Sequence, residues 1–190
     1  RGAFEELQAL WAAEGAFVAS YNEYELLGAW IEDVLDILGF DPLQETTLPD
    51  GGGYNARLLF GSSKTRRKGA RAKRDGNVTG MYGNAAAVLE AKQYDADFTK
   101  RFSEQRSYRD ASHQIKYYLE RTPERVKWGV LTNGRKWRLY GTKDYATEVY
   151  YEVDLVELLT QGTVEQFKYF FVFFRPEAFR ESAATSFLDT

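Results

Sequence analysis

Apolar residues recur along this chain at two spacings. Some segments carry them every three to four positions, and others are short unbroken runs bounded by Gly, Asn and Asp, which together predict helices interleaved with buried strands. Phe4, Leu7, Leu10, Trp11 and Ala13 predict a helix within Arg1 to Val18, broken near Gly15. Leu27, Trp30, Ile31, Val34, Leu35 and Leu38 make a stronger stripe over Tyr24 to Leu38, closed by Gly39 and then Pro42. Pro49 to Gly53 reads as a turn, Tyr54 to Phe60 as a strand, and Ala85 to Lys92 as a second strand. Ser107 to Arg121 returns to helical spacing. Val126 to Thr132 and Arg135 to Tyr140 flank Asn133-Gly134, a strong hairpin signal. A further strand is expected at Glu148 to Val153 and a short helix from Asp154. Thr163 with Gln166 then forms a capping box for a last helix rich in Phe167, Phe170, Phe171 and Phe174. That aromatic stripe is read as core, or as an interface with sequence further on.

The second strand carries charge at its end. A strand alternates its side chains, so Val88, Glu90 and Lys92 share one face, with neighbours roughly 7 Å apart. A carboxylate and an ammonium at the mouth of a buried strand suit divalent-metal chemistry on a phosphodiester, the carboxylate holding the ion and the lysine steadying the attacking water or the developing negative charge. Glu and Lys are also common surface residues, and one Glu-x-Lys alone is compatible with chance. Two consecutive strands most simply pair antiparallel, so the start of the first should lie beside the end of the second. Glu23, at the start of its helix, suits either the helix dipole or a metal.

A chain of 190 residues is long enough for one domain with a real core. Cysteine is absent, which excludes disulfides, thiolate nucleophiles and zinc–cysteine sites. His113 is the single histidine, so carboxylates and lysines are the chemistry that remains. No long apolar run or signal-peptide pattern appears, and the expectation is a cytoplasmic protein with no membrane partner. The chain opens on Arg rather than Met and is expected to be a piece excised from a longer protein. A net charge of −3 argues against coating nucleic acid by global charge. The local exception is Lys64, Arg66, Arg67, Lys68, Arg71, Lys73 and Arg74, seven cations within residues 64–74 and no anion among them. This run is expected to be a mobile loop or hairpin, either contacting phosphates or simply solvated.

The order helix, strand, strand with Glu-x-Lys, helix, strands resembles the restriction-endonuclease-like PD-(D/E)xK nucleases. Val88-Leu89-Glu90-Ala91-Lys92, then Gln114-x-x-x-Tyr118, then Trp128-Gly129-Val130-Leu131-Thr132-Asn133-Gly134-x-x-Trp137-Arg138-Leu139-Tyr140 are similar to the nuclease domain of type I restriction motor subunits. They are more similar still to the amino-terminal nuclease domain of single-chain restriction-modification enzymes, in which a DNA methylase follows. The likeness spans roughly Tyr21 to Phe174. It implies an α/β fold with a central mixed β-sheet flanked by helices, in one domain over 1–190, divided as an N-terminal helix (1–20), a nuclease core (21–153) and a C-terminal aromatic helix (154–190).

It also implies a Mg²⁺-dependent (or Mn²⁺-dependent) endonuclease of a restriction or phage-defence enzyme, cutting duplex DNA to leave a 5′-phosphate, with methylase and target-recognition domains elsewhere in the full protein. Glu90 would be a metal ligand, Lys92 the catalytic lysine, and Gln114 and Tyr118 the motif that supports the site or touches DNA; the alternative for these two is an ordinary helix face. Glu23 falls where related nucleases direct an acid at the metal. The Lys64 to Arg74 run, with Arg101 and Arg106, would hold backbone phosphates. One departure is plain: aligning the family's Asp-Tyr-Ala-Leu-Phe on Leu59-Phe60 puts the expected metal-binding Asp at Ala56. Either Ala56 is the lost ligand, or Asp50, spelled Pro49-Asp50, supplies it. The rival reading is a catalytically silent DNA-binding or docking module of the same fold.

Overall fold

The computed structural model describes residues 1–49, 53–123, 126–141, 149–182 and 185–186. Its elements, in chain order, begin with α1 (Gly2–Glu14) and α2 (Glu23–Leu26), which passes through a π-helical turn at Leu27–Ile31 into α3 (Glu32–Leu38). Strands β1 (Asp41–Thr47) and β2 (Tyr54–Phe60) precede α4 (Ser63–Arg74) and α5 (Val78–Tyr82). Next come β3 (Ala87–Ala91), α6 (Ala111–Arg121), β4 (Trp128–Thr132), β5 (Lys136–Gly141) and β6 (Tyr151–Asp154). Helices α7 (Leu155–Gln161) and α8 (Val164–Phe173) follow.

The six strands form one sheet in the order β1-β2-β3-β4-β5-β6. Every neighbouring pair is antiparallel except β3 with β4. The expected mixed sheet flanked by helices is therefore present, and each face carries its own apolar cluster. On one face Leu59, Ala87, Leu89, Val130, Trp137 and Leu139 meet α1, α2, α3, α7 and α8. On the other, Leu58, Phe60, Val88, Leu131 and Tyr140 meet α5 and α6 through Met81, Tyr82, Ile115 and Tyr118. A strand buried on both faces reads as a continuous apolar run, which is why Ala87 to Ala91 is wholly buried.

Several expectations hold in detail. Gly39 ends α3 with φ +95°, a left-handed value that glycine takes without a Cβ clash. The Thr163–Gln166 capping box is formed, and Phe167, Phe170 and Phe174 lie in the core. The β4–β5 hairpin forms around Asn133 and Gly134: Gly134 takes φ +80°, and the buried Asn133 side chain accepts from the backbone N–H of Arg135 and Lys136 at 3.1 and 2.7 Å. Trp30 Nε1 ties this turn to the π-helical segment by donating to the Gly134 carbonyl at 2.6 Å.

Three expectations need correction. The basic run is neither loop nor hairpin; it is helix α4. Lys, Arg and Ala are good helix formers, Ser62 caps the first turn by accepting from Thr65 N–H, and repulsion is relieved because Arg66 and Lys73 pair with β1 while the others are solvated. Strand β1 went unread, since its Asp41-Pro42 start looked like a stop signal; proline is tolerated there because β1 is an edge strand. Helix α6 begins at Ala111, four residues later than expected, where Asp110 accepts from His113 N–H. The first helix, by contrast, ends at Glu14 as the break near Gly15 predicts, with a separate 3₁₀ turn at Val18–Ser20. The strand expected from Glu148 is described from Tyr151 to Asp154, and residue 148 lies outside the described residues.

Candidate active site

Glu90 sits one residue before the end of β3, opposite Leu131 of the parallel neighbour β4. Lys92 extends that ladder by one hydrogen bond, its N–H donating to the Thr132 carbonyl at 2.9 Å. Both side chains are therefore held by backbone pairing at the open end of the sheet. Lys92 Nζ lies 2.8 Å from Glu90 Oε1 and 4.0 Å from Glu23 Oε2. Glu23 occupies the first turn of α2, whose cap is Asn22 paired reciprocally with Glu25. Its carboxylate thus faces the lysine without being needed for capping.

Burial sets the electrostatics. The Glu90 side chain is only 7% exposed and that of Lys92 13%. Loss of solvent raises the Glu90 pKa above its ordinary value; the Lys92 ammonium opposes this shift, as does a hydrogen bond from Tyr118. Tyr118 is held strongly in its neutral phenol form, first by burial and then by the nearby Glu90 charge. Gln114 and Tyr118 are both buried, Tyr118 within the apolar cluster of this face. Gln114 Nε2 donates to Tyr118 Oη at 2.6 Å and to Tyr108 Oη at 3.3 Å, leaving Gln114 Oε1 buried without a partner. Thus Gln114, Tyr118, Glu90, Lys92 and Glu23 form one connected polar group.

Sequence reading missed two members of this group. Tyr108 reaches Gln114 from the segment before α6, and the Phe102 ring lies 5.6 Å from Lys92 Nζ. Tyr108 and Phe102 also meet edge to face, with ring centroids 5.9 Å apart. Phe102 falls in an aperiodic stretch that no repeat of apolar positions marks, and Tyr108 falls in the first residues of the segment 107–121 that reads as helical but precedes α6. Arg106, expected at phosphates, stacks on Phe102 and pairs with Glu104 at 2.7 Å, while Arg101 is exposed.

Ala56 lies on β2. The last β2–β3 pair is Arg57 with Leu89, and one further step of that antiparallel register sets Ala56 level with Glu90. Side-chain alternation along β2 is disturbed at this rim. Ala56 packs with the cluster under α1 to α3, whereas Asn55 bonds Thr46 and Tyr82 of the opposite face. Arg57, buried, pairs with Glu32 of α3. Asp50 lies outside the described residues.

A divalent ion of the Mg²⁺ class needs several oxygens in close array. Glu90 and Glu23 offer two carboxylates with the Lys92 ammonium between them, and Ala56, though level with Glu90, packs toward the opposite cluster. Among the described residues no group of three or more Asp, Glu, His or Cys side chains is placed to hold a metal. As they stand, these residues do not make a magnesium site; they make a buried lysine–carboxylate pair. The cations Lys64, Arg66, Arg67, Lys68, Arg71, Lys73 and Arg74 all lie on α4, which rests on the same face of the sheet as Glu90 and α6. No family model, no curated protein and no solved structure matches this chain.

Proposed function

We propose that the chain is a DNA-directed nuclease domain of a restriction or phage-defence enzyme, impaired in the present sequence at position 56. The observation that carries this reading is the Glu90–Lys92 pair at the end of a central strand, backed by Gln114 and Tyr118; Ala56 is level with Glu90 but packs toward the opposite cluster, so an Asp there must turn to the Glu90 side to join it. Lys92 would place positive charge against a scissile phosphate, Glu90 would orient it, and Tyr118 with Gln114 would fix Glu90. Binding of Mg²⁺ requires a further carboxylate, at position 56 or from Asp50. Losing one of the acids that hold a catalytic ion costs about 4 kcal/mol or more of transition-state stabilisation, a thousandfold in rate.

The lack of a third acid among the described residues favours a second reading, a silent DNA-binding module that keeps the nuclease architecture. Supercoiled plasmid nicking with Mg²⁺ or Mn²⁺ separates the two. The chain as it stands should be inert, Ala56→Asp should nick, and Ala56→Asp with Lys92→Ala should be inert again. Inert Ala56→Asp protein that remains folded overturns the nuclease reading. Cutting by the unaltered chain that Asp50→Ala abolishes assigns the acid to Asp50.

A further inference from the structure

We propose that α4 is a rail for one strand of duplex DNA, running along the sheet toward the Glu90–Lys92 rim and using Lys64, Arg67, Lys68 and Arg71 but not Arg66 or Lys73. The proposal rests on the DNA reading above and assigns it a surface, a direction and a division of labour among the cations.

The division follows from helical geometry. Gly69 faces the sheet so closely that a Cβ there would come within 2.5 Å of the Phe60 ring. At about 100° per residue, Lys64, Arg67, Arg71 and Arg74 fall on the side diametrically opposite Gly69, with Lys68 flanking them. All five are exposed. Arg66 and Lys73 turn back toward the sheet and are engaged by β1: Arg66 forms an ion pair with Asp41, Nε to Oδ1 2.8 Å, and Lys73 Nζ donates to the Gln44 carbonyl at 2.6 Å. Arg74 pairs with Asp75 at 3.2 Å. Lys64, Arg67, Lys68 and Arg71 have no side-chain partner among the described residues.

The direction follows from strand register. Asp41, the partner of Arg66, pairs with Phe60 at the far end of β2. Gln44, the partner of Lys73, pairs with Arg57, which in turn pairs with Leu89 beside Glu90. From Arg66 to Lys73 the helix therefore advances toward the rim, on the face of the sheet that carries Glu90. Lys64 to Arg71 spans about 10.5 Å of helix, close to three phosphates of one duplex strand. The outer face carries no large apolar side chain to enter a bilayer, which favours a phosphate polymer over a lipid surface.

The test is fluorescence anisotropy of a short labelled DNA duplex titrated with salt, with folding of each variant checked by circular dichroism. Lys64→Gln, Arg67→Gln, Lys68→Gln and Arg71→Gln should each weaken binding and flatten the log–log salt slope by about 0.9. Arg66→Gln and Lys73→Gln should leave the slope unchanged. Equal effects from all six, or no effect from the first four, overturn the rail. Stronger competition by duplex RNA or anionic vesicles than by DNA at equal phosphate overturns DNA as its occupant. If the slope pattern holds while Ala56→Asp cuts nothing, the nuclease reading fails and the rail stands. Restored cutting with a slope indifferent to the stripe removes the rail alone.

Discussion

The Lys92 ammonium stands 2.8 Å from Glu90 and 4.0 Å from Glu23, so one cation is shared by two carboxylates at the open end of the sheet. Truncating it as Lys92→Met leaves Glu90 buried beside no compensating charge, and removal of one partner from a buried pair costs about 3–5 kcal/mol. Urea unfolding at neutral pH should show that loss, and Glu90→Gln in the same background should recover most of it.

Glu90 also dictates a pH dependence. Burial raises its folded pKa above the ordinary 4.5, so the folded state keeps a proton that the unfolded chain gives up first. Its contribution to stability is fully present below 4.5 and is lost as pH rises through the folded value. The unfolding free energy of the wild type relative to Glu90→Gln should therefore fall across that window on going from acid to neutral pH. A difference that rises with pH would show Glu90 to be ionised more easily when folded, contrary to its burial.

Ala56→Asp has a readout independent of cleavage. Its neighbours are apolar, so without a cation the new carboxylate should destabilise the fold by about 1–3 kcal/mol. If the added acid completes a metal site, Mg²⁺ at a hundredfold excess over its Kd should restore about 2.7 kcal/mol. Melting curves of Ala56→Asp with and without Mg²⁺ should thus separate, while those of the unaltered chain coincide.

Gly69→Ala should detach α4. A Cβ there meets Phe60 at 2.5 Å and the Met81 carbonyl at 3.3 Å, and overpacking of this kind costs about 1–3 kcal/mol. Phe60→Leu, which opens space at the ring, should relieve part of the loss in a double-mutant cycle on Tm.

Tyr118→Phe keeps the ring and removes the hydroxyl that receives Gln114 at 2.6 Å. Leaving buried groups unpaired should cost about 1–3 kcal/mol in chemical denaturation, and Tyr108→Phe, whose bond is longer at 3.3 Å, should cost less.

The central strand and the hairpin were legible because both signals are local: a buried run must be apolar on both faces, and Asn133-Gly134 marks its own turn. Helix α4 was misread because its inner face is small rather than apolar. Gly69 and Ala72 give no hydrophobic stripe, and the cations dominate the pattern. Strand β1 was hidden by a proline that only an edge position tolerates. Glu90 and Lys92 could be named from spacing and Gln114 and Tyr118 from the family resemblance, and the structure joins them. Phe102 could not be named, for Lys92 lies across aperiodic chain, and Tyr108 was hidden because a helix running from Ser107 does not show the turn back to Gln114 that its place before α6 allows. The facing of Ala56 was equally invisible, because the disturbed alternation at the end of β2 belongs to the sheet and not to the heptapeptide.

The parallel pairing of β3 with β4 joins residues about forty positions apart, and Trp30 meets Gly134 across a separation of 104. Contacts so distant along the chain close after nearby hairpins, because a longer loop must be immobilised first. The β1–β2 hairpin can zip early, while the corner that brings Glu23, Lys92 and the Gln114 amide together waits for the second half of the chain. Stalled or truncated chains should therefore display the cationic helix before the corner of Glu23, Lys92 and Gln114 is assembled.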